Sequence, residues 1–405
     1  MHSTRGDLEA SHRPDDTAAE PLAALHALAP FTAEAQGHRL AFYPRGEDRL
    51  SALLALISGV RETLDVAFYI FATDACGTRV RDALTEAAQR GVRATLIVDG
   101  FGATADEAFF APFIAAGGRF RCFLARWSLR ALIRNHQKMV IADAAVAMLG
   151  GFNIEDSYFA PPEENGWNDL GFTVEGPVVA RVSDWFAQLD DWAARPDAQF
   201  ADIRRKVDRW DGGKGPVQLL IGGPTPGLAS WARCISRDLV HGDRLDMMMA
   251  YFSPPPGLLR RIRRIARKGR ARLVLAGKSD NGATIGAARS RYGRLLKAGA
   301  ELWEFEACKL HTKLIVLDDA VYLGSANFDV RSLYINLEIV LRIEDAALAE
   351  RMRAFIAAHL PASRAITPAL HRSRATWWNR LRWQVSWFLV TVVDYTVSRK
   401  FNFGQ

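Results

Sequence analysis

From Leu40 to about residue 345, short unbroken apolar runs alternate with stretches whose apolar residues recur at helical spacing. The runs at Leu64–Phe71, Met139–Ile141, Leu245–Phe252 and Leu314–Val316 read as strands buried on both faces. The periodic stretches, at about 47–61, 78–90, 228–240 and 257–268, read as amphipathic helices that cover a sheet. This order predicts an α/β architecture, a layered sandwich with a largely buried sheet.

The pattern occurs twice. Leu64-Asp65 to Phe71 parallels Leu245-Asp246 to Phe252, and Gly91 in its turn parallels Gly269. Asp169 to Glu175 parallels Glu338 to Glu344, and the offset drifts only from 181 to 169 residues along the way. The chain is therefore an internal duplication, with like domains expected at 39–200 and 217–360. A linker is expected at 201–216, where Asp-Gly-Gly-Lys-Gly-Pro breaks the periodicity. Pseudo-twofold packing of two such domains brings equivalent positions together at their interface, a common place for a site. Residues 1–38 are polar with little periodicity and are expected to be disordered or loosely attached.

Each copy carries the same short constellation. The first is His136-Gln-Lys138 running to Asp143, then Gly150-Gly151-Phe-Asn153; the second is His311-Thr-Lys313 running to Asp318, then Gly324-Ser325-Ala-Asn327. Residues i and i+2 of a strand share a face, so each imidazole points the same way as its ammonium. Two such strands side by side make a phosphate pocket holding a nucleophile and an acid. Lys138 and Lys313 offer donors to non-bridging phosphate oxygens, and Asn153, Asn327 and Ser325 add neutral ones. Imidazole titrates near neutrality, so one histidine can attack while the other passes a proton. Asp169 and Glu338 stand at matching strand starts and are nominated to orient the two rings. Asp143 and Asp318 follow buried strands, where aspartate commonly shapes a turn, and are read as structural.

The doubled His-x-Lys-x(4)-Asp pattern resembles the signature of the phospholipase D superfamily. The segments Gly150–Phe159 and Ser325–Glu338 look like its bacterial cardiolipin synthase branch. The likeness covers roughly residues 40–345. One departure is that Asp318 to Gly324 is a residue shorter than Asp143 to Gly150. The resemblance implies two phospholipase D-like domains packed about a pseudo-twofold axis, and a covalent phosphohistidine intermediate. By analogy His136 is the nucleophile and His311 the general acid, then base. Gly151, Ser325 and Arg331 are assigned to the substrate. The implied activity is transfer of a phosphatidyl group from phosphatidylglycerol or a related phospholipid. Hydrolysis to phosphatidic acid, or a nuclease-type phosphodiesterase, are the alternatives.

Charge adds one feature. Residues 1–38 carry two arginines against six acids, whereas residues 361–405 carry six arginines and one lysine against one acid. That basic tail also holds Trp377, Trp378, Trp383 and Trp387. Tryptophan flanked by arginine suits an anionic membrane interface, against the plainer reading of a closing helix packed on its own domain. Nucleic acid is the less favoured ligand. The run Arg260–Arg272 has its apolar residues at helical spacing, so its arginines read as a solvated face. No apolar window reaches the roughly 20 residues of a spanning helix, and no secretory signal is visible. Many cardiolipin synthases begin with two membrane spans, and this chain resembles the branch lacking them. A cytoplasmic protein, peripheral on the inner membrane, is expected. Cys76, Cys122, Cys234 and Cys308 lack ligand spacing and read as reduced, buried thiols. No metal or cofactor is called for. Both half-sites lie in one chain, so no protein partner is required.

Overall fold

A computed structural model describes residues 19–123, 133–195 and 197–393 of the chain. The expectation of disorder over residues 1–18, and Asp394, Arg399 and Lys400 of the tail, lie outside these. Two eight-stranded mixed sheets form the body. In the first, the order is Phe31–Ala35, His38–Tyr43, Gly171–Glu175, Val146–Gly150, Met139–Ala142, Thr63–Phe68, Arg93–Asp99 and Arg119–Phe123. In the second, it is Val217–Gly222, Glu338–Glu344, Ala320–Gly324, Lys313–Leu317, Leu245–Met249, Ala271–Ala276, Glu301–Phe305 and Ser363–Ala365. Seven neighbouring strands match one for one in order and direction. The sequence duplication is therefore a structural one.

Each sheet is buried on both faces, which is why its strands are continuous apolar runs. On the outer face of the first sheet, helices Gly46–Gly59 and Ala75–Gln89 bury Leu53, Ile57, Val80 and Leu84. Helices Ser230–His241 and Pro256–Arg267 do the same for the second. The inner faces share a single core, in which Phe42, Met139, Leu149 and Phe172 belong with Leu314, Val316, Leu323 and Leu341. Burying this common layer fixes the two sheets relative to each other.

Three expectations at the margins are corrected. Residues 19–38 are not loose: they form helix Ala19–His26 and the edge strand Phe31–Ala35. Most of the expected linker is the helix Phe200–Arg209, whose Phe200, Ile203 and Val207 enter the shared core. The start of the expected tail supplies the edge strand Ser363–Ala365. Each eighth strand thus comes from a flank that composition had marked as peripheral.

The basic helix Pro256–Arg267 buries Leu258, Leu259, Ile262 and Ile265, but its opposite face is not merely solvated. Arg261 donates to the Ser236 carbonyl, and Arg264 to those of Leu239 and Gly242, satisfying the open end of the neighbouring helix. All four cysteines are free thiols, and Cys122 is exposed rather than buried.

Candidate active site

Met139–Ala142 and Lys313–Leu317 are central strands, and each His-x-Lys enters its strand from the same end. Hairpin turns close the far ends. There Asp143 and Asp318 adopt left-handed backbone (φ 51° and 49°), which aspartate tolerates. The Asp143 carboxylate accepts the backbone N–H groups of Arg61, Glu62 and Thr63, and Asp318 accepts those of Asp243 and Arg244. These two residues hold the frame.

At the near ends the halves cross over. The segment Lys309–Leu310 pairs with Trp167–Asn168 of the first half, and Asn135 bridges to Leu337 of the second. His311 N–H donates to the Asn168 carbonyl at 2.8 Å, and His136 N–H to the Leu337 carbonyl at 3.0 Å. Each histidine therefore meets the carboxylate of the opposite domain. His136 Nδ1 lies 3.0 Å from Glu338, and His311 Nδ1 lies 2.6 Å from Asp169. A carboxylate on Nδ1 fixes the proton there and leaves the Nε2 lone pair free for chemistry. Lys138 and Lys313 each donate to the carbonyl of their own histidine at 2.6 Å.

The site is dry. Burial, reinforced by the lysines and opposed by Glu338, pushes the His136 imidazole down to about 4. Burial and then Lys313 push His311 to about 3, against Asp169. Burial also drives the Lys138 ammonium well below its usual value and Lys313 to about 8, despite the two carboxylates. Asp169 goes the other way: burial disfavours its charge, but His311, Lys313 and Arg49 outweigh that and hold it low. Both imidazoles are thus neutral at pH 7, and burial weakens both ammonium groups although two carboxylates act on each. A negative charge brought into the pocket would favour both ammonium groups and one imidazolium.

Other expected residues are placed as follows. Asn153 accepts the Ile70 N–H on Oδ1 and hydrogen-bonds the Tyr158 hydroxyl, which lies 3.5 Å from His311 Nε2. Asn327 is buried beside Ser325, with no partner for its Oδ1 among the described residues. Ser325, expected to meet substrate, donates its hydroxyl to Glu338. Gly151 makes room: a Cβ there would lie 2.8 Å from both Asp169 oxygens. Arg331 reaches the Asn336 side chain at 3.5 Å. Among the described residues, no group of His, Cys, Asp and Glu could hold a metal ion.

A family model described as cardiolipin synthase, PLD-like domain, matches residues 53–190 and 239–360. The chain belongs to this family. Its two matched stretches each carry one His-x-Lys strand, so the protein is a phospholipase D superfamily enzyme. The cardiolipin synthase of Listeria monocytogenes is 27% identical over 356 residues, covering 84% of this chain and 73% of that one. The major cardiolipin synthase of Bacillus subtilis is 29% identical over 343 residues, covering 82% and 71%. Among solved structures, the phosphatidylserine synthase of Haemophilus influenzae superposes with a TM-score of 0.72 over 95% of this chain and 99% of that one. At 14% identity, that likeness shows the fold alone.

Several residues that build the family's pocket here were missed by sequence reasoning. Arg49 is wholly buried and donates to the carbonyls of Asp169 (2.7 Å) and Tyr158 (2.6 Å), supporting both from beneath. A charge on the apolar face of helix Gly46–Gly59, in line with Leu53 and Ile57, was the available signal. Ser332 donates to Glu338 at 2.7 Å. Tyr158, Trp167 and Tyr251 wall His311 at ring distances of 5.0, 5.2 and 6.5 Å. Tyr69 lies 5.0 Å from His136. Aromatic residues are common in cores, and nothing in the sequence set these apart.

Proposed function

We propose that the protein is a phosphatidyltransferase of the cardiolipin synthase type, working through a phosphohistidine on His136. What carries the reading is the crossed arrangement: two imidazoles, each held at Nδ1 by the other domain's carboxylate, face one lysine-lined pocket. In the first step His136 Nε2 attacks the phosphorus of a phosphatidylglycerol. The P–N bond forms, the bond to the glycerol oxygen breaks, and His311 gives that oxygen its proton. In the second, His311 takes the proton of an incoming lipid hydroxyl, whose oxygen displaces His136 from phosphorus. Two phosphatidylglycerols then yield one cardiolipin and one glycerol. His136 suits the nucleophile because its side chain is the more exposed, 11% against 4% for His311.

The lipids imply a protein that works at an anionic membrane surface, and none of the described helices is long and apolar enough to cross one. Helix Trp377–Trp387 is the surface proposed to touch it. The direct test is incubation of purified protein with phosphatidylglycerol vesicles, reading lipid products by mass spectrometry. Cardiolipin is expected. Phosphatidic acid alone would make water the acceptor, and cleavage of DNA or RNA without a lipid product would replace the reading with a nuclease.

A further inference from the structure

We propose that Gln137 is a positioning residue for the nucleophile: with Trp185 it holds the main chain of Glu338, so that the carboxylate stays on His136 Nδ1. This rests on the roles given to His136 and Glu338 above, and it gives a task to the middle residue of the first His-x-Lys.

Along an extended chain, the residue between His136 and Lys138 points away from the face those two share. Gln137 is wholly buried there, as are Trp185 and Glu338. Gln137 Nε2 donates to the Glu338 carbonyl at 3.1 Å, and the Trp185 indole N–H donates to Gln137 Oε1 at 3.0 Å. An indole N–H can only donate and a main-chain carbonyl can only accept, so both contacts demand the same orientation of the amide. Trp185 is itself fixed. It lies on helix Val178–Ala193, within the shared core, with its ring edge-on to Trp210 at 5.3 Å. A rigid helix of one domain thus reaches, through an indole and an amide, to the main chain of the other.

The repeat shows what the side chain replaces. Asn168 and Leu337 are matching positions, each just before the carboxylate of its strand. In the second copy the N–H groups of His311 and Thr312 both donate to the Asn168 carbonyl, at 2.8 and 3.1 Å. In the first, His136 N–H holds the Leu337 carbonyl at 3.0 Å, and the further bond comes from the Gln137 side chain. That bond lands one residue on, at the carboxylate residue itself. Thr312 has the shorter side chain, and its hydroxyl returns to Asn168 at 3.2 Å. Glu338 is therefore held twice: Ser325 and Ser332 take its carboxylate, and Gln137 takes its main chain. Glutamate has one more rotatable bond than the Asp169 that meets His311. Its 3.0 Å contact with His136 therefore depends more on where its main chain is anchored.

The test is a set of variants assayed on phosphatidylglycerol vesicles, with kcat and KM separated. Gln137→Met keeps the volume and loses both bonds. It is expected to lower kcat about 10- to 100-fold with KM within about twofold, as for other groups that orient a catalytic ligand. Trp185→Phe removes the indole donor alone and is expected to lower kcat about two- to tenfold. Both changes disturb a buried network, so the deciding measurement is a cycle with Glu338→Gln, which removes the charge that orients the ring. On that background Gln137→Met should cost no more than about threefold, because no carboxylate is left to position. Trp185→Phe, the milder change, carries the same cycle should Gln137→Met fail to fold. An unchanged kcat in Gln137→Met, or its full loss repeated on the Glu338→Gln background, overturns the proposal and leaves the roles of His136 and Glu338 standing. The cycle is read on whichever lipid product wild type forms, so phosphatidic acid in place of cardiolipin would end the transferase reading and still decide this one. A wild type that forms no phospholipid product overturns both.

Discussion

Around His311 the pocket is aromatic, and around His136 it is polar and cationic. On the His311 side, Tyr158, Trp167 and Tyr251 enclose the ring, and Asp169 fits beneath it because Gly151 has no side chain. On the His136 side, Glu338 is one methylene longer and is steadied by the hydroxyls of Ser325 and Ser332, with Tyr69 beside the ring and Arg134 on the tyrosine hydroxyl. The repeat lines these up pairwise: Gly151 stands where the other half has Ser325, Ser157 where it has Arg331, and Tyr158 where it has Ser332. Duplication supplied two equivalent histidines. A few substitutions around them left the side chain of His311 4% exposed and that of His136 11%. That difference is what supports the proposed roles, an acid in one copy and a nucleophile in the other.

The largest effects should come from the histidines, and they can break the assignment. His136→Ala and His311→Ala are each expected to lower lipid turnover by at least about 10³-fold. Substantial activity in both single variants would end the shared-site reading. The two should differ in what they accumulate. His311→Ala keeps the nucleophile and, given phosphatidylglycerol, should still form a slow covalent phosphatidyl adduct visible by intact mass. His136→Ala should show none. The reverse pattern would swap the roles.

Exchanging the partners of the carboxylates sharpens the comparison at smaller cost. Gly151→Ser drives a Cβ against both Asp169 oxygens. It is expected to lower activity about 10- to 100-fold, as for other supports of a catalytic ligand, and stability by about 1–3 kcal/mol. Ser325→Gly removes one of two hydroxyls on Glu338, leaves Ser332 in place, and is expected to cost activity no more than about tenfold. Measured kcat and urea midpoints decide it. Equal losses would mean the two carboxylates are held alike despite their different surroundings.

The paired motifs were legible because strand period and imidazole chemistry are both local: His136 and Lys138, two residues apart on an apolar strand, must share a face. The duplication was legible for the same reason, and it named Asp169 and Glu338. Which carboxylate serves which histidine was not. That crossing depends on two bridges one or two residues long, Lys309–Leu310 with Trp167–Asn168 and Asn135 with Leu337, too short to leave a period. The partner of Ser325 was not legible because reach from a strand end depends on the partner's length, and only the fold shows Glu338 arriving at its hydroxyl. The edge strands Phe31–Ala35 and Ser363–Ala365 are brief and sit beside polar segments, so burial against the sheet, rather than propensity, makes them.

The contrast between the two sides extends to the surface, with the smallest expected effect. Tyr251, at the His311 side, donates to Asp280, just before helix Gly282–Leu296, and helix Trp377–Trp387 packs on that helix. The two readings of this tail describe its two faces. Inward, Trp383 is buried and stacks on His371, Ser386 abuts Gly286, and Trp387 meets Arg291. Outward, Trp377, Trp378, Leu381, Val385, Phe388 and Leu389 are exposed in a stripe at helical spacing, with Arg380 and Arg382 beside it. An apolar stripe bordered by arginine matches the interface of an anionic bilayer. Replacing Trp377, Trp378 and Leu381 with serine leaves the inward face intact. It is expected to weaken co-sedimentation with phosphatidylglycerol vesicles several-fold, at about 1 kcal/mol or more for the apolar area lost, and to slow turnover on vesicles more than on detergent-dispersed lipid. Unchanged co-sedimentation would remove the membrane from this face and leave the helix as a lid on its own domain.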